Sequence, residues 1–285
     1  MNFARISKSL AVAGVTSAMA AGALVGATTT SAIAAPVTST YTCPTPLGTF
    51  DVPVSVDVTS VPATMPAGKS IAAGGSPVSF VFEAPAELVA TLATVGGLSA
   101  LSSPDFKMPL GSSAIPVTDI ALSGPPVAGA NGAQDLPAAG TSGAYKAPAA
   151  GTKDLMMPSS FTLVPTTGAG PIPVTCTTSA PAKVTTVSVT KNASTTSAKP
   201  ATTPFHHTKV AKMNVTVAAA NHRPTGKVLV KQGTKTLGSA TLNSLGKAVV
   251  SIGKLSVGKH NLVVLYNGDG YTTSSKKAIT VKAVR

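Results

Sequence analysis

The sequence predicts a mostly β protein built as two β-sandwich-like domains, and three observations predict it. Apolar residues alternate with polar ones at period two, as where Asp51, Pro53, Ser55 and Asp57 separate Phe50, Val52, Val54, Val56 and Val58. After Phe205, Gly and Asn turn signals recur at roughly ten-residue spacing, the rhythm of short sandwich strands. Two cysteines, Cys43 and Cys176, bracket the N-terminal stretch, and the second precedes a change of composition.

In chain order, residues 1–34 read as a secretory signal. Arg5 and Lys8 precede an uncharged Ala/Gly/Val-rich run over 10–27, and Ala32-Ile33-Ala34 fits signal-peptidase cleavage after Ala34. A membrane anchor is the alternative, because a run of this length barely spans a bilayer. No later segment is long and apolar enough to span one, so no transmembrane span is expected after signal cleavage. Residues 35–178 then form the first β-rich domain. Val78, Phe80 and Phe82 alternate again. "PAELVATLATVGG" over 85–97 predicts one short helix: a first-turn Pro, Glu87 near the start, Leu88, Val89, Leu92 and Val95 at helical spacing, then paired glycines. Further strands are expected at 106–110, 115–122, 160–164 and 172–177.

Residues 123–152 are rich in Gly, Ala and Pro with almost no large apolar side chain, and read as a long exposed loop. Residues 179–204 read as a Ser/Thr/Pro-rich linker. Within it, Val184, Val187 and Val189 give a first strand of the next domain at 184–190. A basic β-sandwich is expected over 205–285. Its inward residues would be Met213, Val215 and Val217; Val228 and Val230; Ala248, Val250 and Ile252; Leu262, Val264 and Tyr266; Ile279 and Val281.

Export gives the cysteines meaning. An even count in an oxidising compartment makes one disulfide, Cys43 to Cys176, the expectation, with two buried free thiols as the alternative. Closing so long a loop contributes up to roughly 4–5 kcal/mol in chain-entropy models. Charge divides at the second cysteine. From Ala35 to Cys176, four lysines face eight acids, a net of −4; beyond it, sixteen bases face Asp269 alone, a net of +15. A basic module of this kind points to anionic partners, or else to lysines that only keep a small β domain soluble and blunt its edges.

The stretch "PTGKVLVKQGTKTLGSATLNSLGKAVVSIGKLSVGKHNLVVLYNGDGYTTS" resembles the bacterial Ig-like domain repeats of exported actinobacterial proteins. The resemblance implies an Ig-like fold for the C-terminal sandwich and a role as adhesive module, spacer or wall-associated stalk. In this chain Asp269, Gly270 and Tyr271 stand closer together than in the family pattern, which implies a final hairpin one residue shorter. The N-terminal half, through "YTCPTPLGTFDVPVSV", "PAELVATL" and "IPVTC", is similar to an uncharacterised β-rich domain of secreted actinobacterial proteins.

Candidate chemistry is sparse. Asp269 in "NGDG" is read as the pin of a tight turn, with Gly268 and Gly270 supplying positive φ. A calcium loop needs six to eight oxygens and several carboxylates, and no second carboxylate follows Cys176. His206 and His207 are adjacent and point to opposite faces of a strand, and His222 and His260 stand apart, so no metal site and no cofactor are expected. The N-terminal domain has no histidine, which removes Ser-His and Cys-His nucleophile pairs there. "SLGK" at 244–247 matches Ser-x-x-Lys formally but falls in a turn. No catalytic residues are expected. The absence of Trp disfavours glycan stacking, and without interleaved aromatics or a reader helix no sequence-specific nucleic acid is expected as partner. Lys227 and Lys231 on one strand, with Lys276, Lys282 and Arg285 near another, form the candidate surface for anionic cell-wall polymers or other surface glycopolymers. The expectation is a secreted, non-enzymatic surface or wall-associated structural protein. A carboxylate-based hydrolase drawing on Asp51, Asp57, Asp105, Asp119 or Asp154, or a ligand-free spacer, is the alternative.

Overall fold

The structure, a computed structural model, describes residues 36–285 except 47 and 60, so the expected signal at 1–34 lies outside the described residues. Period-two alternation becomes period-two burial. In Gly48–Asp57, Phe50, Val52, Val54 and Val56 turn inward, and in Pro77–Ala84 so do Val78, Phe80, Phe82 and Ala84. Removing one such side chain from water contributes roughly 1.5–3 kcal/mol.

The N-terminal unit has a sheet of fourteen strands curled about a single apolar core, and a separate two-stranded sheet of Ser70–Ile71 and Tyr145–Lys146. Along it Ser160–Thr167, Val174–Thr177, Val37–Thr45, Gly48–Asp57, Pro77–Ala84, Gln134–Ser142, Ser113–Leu122, Lys107–Leu110, Gly151–Met156 and Lys183–Thr190 are successive hydrogen-bonded neighbours. Tyr41, Phe161, Phe106 and Phe80 meet edge to face at 4.9–5.1 Å across the core. Burial raises the Tyr41 phenol far above its ordinary pKa, and its hydroxyl donates to the Pro158 carbonyl at 2.7 Å. Helix Ala86–Thr94 agrees with the predicted segment. It rests Leu88 and Val89 half-buried on the core without burying any residue fully. Cys43 and Cys176 form the disulfide, with S–S 2.07 Å, between neighbouring antiparallel strands.

Two expectations are corrected. Residues 123–152 are not a long loop. Gln134–Ser142 is a central strand, paired on one side to Pro77–Ala84 and on the other to Ser113–Leu122. Its small residues are what the position requires, since a Cβ at Gly140 would stand 2.9 Å from the Thr118 carbonyl oxygen. Residues 179–204 are not a linker. Lys183–Thr190 pairs with Gly151–Met156 and Thr64–Pro66, so Val184, Val187 and Val189 complete the N-terminal core rather than open the next domain. Ser194–Pro200 already belongs to the C-terminal sheet through its pairing with Ala211–Ala219. The first unit therefore runs past the disulfide to Thr190, the second starts at Ser194 instead of 205, and only Lys191, Asn192 and Ala193 connect them.

The C-terminal unit is a sandwich of a three-stranded and a five-stranded sheet. The first orders Ser194–Pro200, Ala211–Ala219 and Lys247–Gly253; the second orders Phe205–His206, Ser275–Val284, Gly258–Tyr266, Lys227–Gln232 and Lys235–Thr241. Met213, Val215, Val228, Val230, Val250, Leu262, Val264 and Tyr266 fill the space between them. The sheets nearly meet along one side, where a Cβ on Gly238 would fall onto the Ser251 carbonyl oxygen. Along the other, the Ser275 hydroxyl bonds to Ser194 and Thr196.

Candidate functional site

The five-stranded sheet turns Val228 and Val230, Leu262 and Val264, and Val281 and Ala283 inward. Side chains one step out of phase face solvent, which brings Lys227, Lys231, Lys276 and Lys282 to the same outer face. Lys259 joins them, directly opposite Lys282 in the register. Like charges so placed repel, and no acid of this unit relieves them: Asp269, its only one, is engaged elsewhere. Between the lysines lie half-buried Leu229, Val263 and Leu265. Lys259 was legible, since it precedes the inward His260. The opposite sheet carries fewer outward lysines, Lys199, Lys212 and Lys247.

Asp269 sits at the boundary of the two units. Oδ1 accepts from the Tyr271 and Thr272 N–H groups and the Thr272 hydroxyl, all at 2.8 Å. Oδ2 accepts from the Thr225 N–H and hydroxyl at 2.9 Å. Burial acts to raise its pKa, but these bonds outweigh burial and hold the carboxyl well below the usual carboxylate range. Gly268 takes φ +83° and a Cβ there would meet the Thr272 carbonyl; Gly270, expected to do likewise, has no positive φ and instead accepts the Ala150 N–H through its carbonyl at 2.9 Å. The Tyr266 hydroxyl, its pKa raised by burial, lies 2.9 Å from Thr272 Oγ1 and so joins the same network.

Around this turn the two units are locked together. Buried Asn192 donates from Nδ2 to the Ala67 and Tyr271 carbonyls at 2.7 and 3.1 Å, and accepts at Oδ1 from Asn221 Nδ2 at 2.9 Å. Its backbone pairs with Tyr271 and Thr273, while the Ala67 N–H donates to Thr190. Tyr271 does not pack within the sandwich alone: its ring stacks on His222 at 4.0 Å and it also touches the N-terminal core. His222 Nε2 lies 3.8 Å from Asp269 Oδ2. None of Asn192, Asn221 or Ala67 carried a signal in the sequence, because a junction between two modules leaves no periodicity.

The other candidates make contacts of their own. His206 and His207 each set Nδ1 at 3.2 Å from a C-terminal backbone carbonyl, of Arg285 and Val284. His260 is buried in the sandwich against the Ser256 carbonyl. Asp51, Asp105, Asp119 and Asp154 each accept from a local threonine: Thr42, Thr162, Thr118 and Thr186. Asp154 also pairs with Lys183 at 3.6 Å. Among the described residues no three His, Cys, Asp or Glu side chains gather in a group that could hold a metal ion. No helix among them is long and apolar enough to cross a membrane.

The profile of the family of unknown function DUF6801 matches residues 40–185, just over half of the chain. The chain belongs to this family. The DUF6801 match ends inside the strand Lys183–Thr190, in keeping with that strand's place in the N-terminal sheet. A bacterial Ig-like domain (group 3) profile matches residues 195–284, which makes the C-terminal sandwich Ig-like and starts it at the strand that had been expected to be linker. Among solved structures, the DUF6801 protein is similar to one from Corynebacterium diphtheriae described as membrane-anchored. Identity is 15% and TM-score 0.37, over 88% of this chain and 59% of that one. It is also similar to the fibronectin(III)-like modules of Clostridium thermocellum CbhA. There identity is 15% and TM-score 0.27, over 80% of this chain and 94% of that one. At these values neither likeness bears on function. No curated protein matches the chain.

Proposed function

We propose that this protein is a secreted, non-enzymatic structural component of the cell surface whose Ig-like module associates electrostatically with anionic wall polymers. One observation carries the reading: Lys227, Lys231, Lys259, Lys276 and Lys282 share one rigid sheet face on which no carboxylate stands. A polyanion lying across that face gains from releasing its counterions, so affinity falls steeply with salt. The disulfide supports an oxidising compartment, and the family membership of the second unit is consistent with a surface protein. The DUF6801 unit, net negative, is the part presented outward in this picture.

The full chain is expected to sediment with cell walls at low ionic strength. Release should come near about 0.5 M salt, where the screening length falls to roughly 4 Å. Replacing Lys227, Lys231, Lys276 and Lys282 together by Gln should lower the retained fraction and flatten the salt dependence. These are exposed or half-exposed positions, so thermal stability should change by no more than about 0.5 kcal/mol per site. Retention indifferent to salt would rule the proposal out.

A further inference from the structure

A second cationic feature lies away from the lysine face, where the two units meet. Residues 216–219 and 221–224, with Leu245 and with Lys146 of the DUF6801 unit, line an open groove of about 650 Å³. That lies within the ~300–1,000 Å³ typical of small-molecule sites, which favour domain boundaries. Its charged lining is basic, Lys146 and Arg223, and the ring of His222 lies beside them. The DUF6801 unit carries eight acids against five lysines, yet the one side chain it contributes here is a lysine.

The loop is built to hold these groups in place. Asn221 takes a left-handed conformation, φ +59°, and its amide is fixed on Asn192. Pro224 is buried and Thr225 is tied twice to Asp269, so the loop is anchored on both sides of Arg223. His222 is clamped face to face on Tyr271. Arg223 itself is exposed and makes no ion pair among the described residues. Asp269, 3.8 Å from His222 Nε2, accepts five hydrogen bonds and makes no ion pair with Arg223. Arg223, on an anchored loop, and Lys146 make no ion pair among the described residues, and with Thr216 and Asn221 adding polar lining they suit an oxyanion.

We propose that this groove binds a compact ligand bearing a phosphate or carboxylate group, gripped by the Arg223 fork and by Lys146 across the boundary, with His222 at its side. It is a site apart from the lysine face and stands or falls separately from it.

The test is a titration of the full chain at physiological salt with inorganic phosphate, glucose 1-phosphate and glucuronate, followed by amide chemical shifts. Saturable shifts centred on Asn221, His222 and Arg223 are expected, with phosphate and carboxylate probes ranking the preferred oxyanion. Arg223→Gln and Lys146→Gln, both at exposed positions, should each weaken binding about tenfold. The fourfold lysine-face variant should bind as the parent does. No saturable shift in these residues up to about 10 mM of any probe, a range that reaches millimolar affinities, overturns the site. So does unchanged affinity in both single variants, or shifts confined to the lysine face, an outcome that would leave the wall-binding proposal intact.

Discussion

A single carboxylate decides how the C-terminal hairpin closes. Asp269 reads in the sequence as a turn residue, and its two nearest glycines make that reading available. The structure adds that the same group collects donors from Thr225, Tyr271 and Thr272, so it fixes a loop 44 residues away as well as its own turn. Asp269→Asn keeps the shape but sets an NH2 group against N–H and O–H donors. Such a change should cost about 2–3 kcal/mol near neutral pH. Because the folded carboxyl titrates well below the ~3.9 of an unfolded aspartate, its contribution is complete above that value and is lost as pH falls towards the folded pKa. The stability gap between parent and variant, followed by urea unfolding from pH 6 to pH 2, should therefore narrow below about pH 4. A gap that stays constant with pH would mean the charge contributes nothing.

At the scale of elements, most strands were legible and the places where reading failed have physical causes. The alternation at Phe50, Val52, Val54 and Val56 survives intact, because large apolar residues on one face leave only one register. Gln134–Ser142 was missed because its inward residues, Leu136, Ala138, Gly140 and Ser142, are mostly small. A strand squeezed between two others near a packed core is selected for lack of bulk, which composition alone presents as a loop. Lys183–Thr190 was recognised as a strand, but its partner, Gly151–Met156, lies about thirty residues upstream and no local pattern assigns it to one sheet or the other. The consequence can be tested by truncation. A fragment ending at residue 178 keeps the disulfide but loses Lys183–Thr190, the strand that brings Val184, Val187 and Val189 to the core beside Gly151–Met156, and should be aggregated or markedly less stable in size-exclusion and thermal unfolding. One ending at residue 192 should fold. Equal behaviour of the two would show that this strand is dispensable to the first core.

At the scale of the molecule, the charge division of the sequence maps onto two folded units, with the basic one concentrating its lysines on one sheet. What could not be read was their attachment. A Ser/Thr/Pro-rich composition looks like a tether, yet here those residues form paired strands, and threonine is well suited to a half-buried pleated surface. Asn192 is the centre of the attachment, with side-chain bonds to both units. Asn192→Ala removes all three side-chain bonds and should loosen the junction without unfolding either sandwich. Residual dipolar couplings should fit one alignment frame for both units in the parent and two separate frames in the variant. Two frames in the parent would contradict a fixed junction.

A three-residue connection that is itself hydrogen-bonded leaves almost no slack between the sandwiches. Tension applied across the molecule would then pass directly from one folded body to the other, with little compliance from an extending coil. The give of the two sandwiches under force should come from strand separation and hardly at all from the stretch between them.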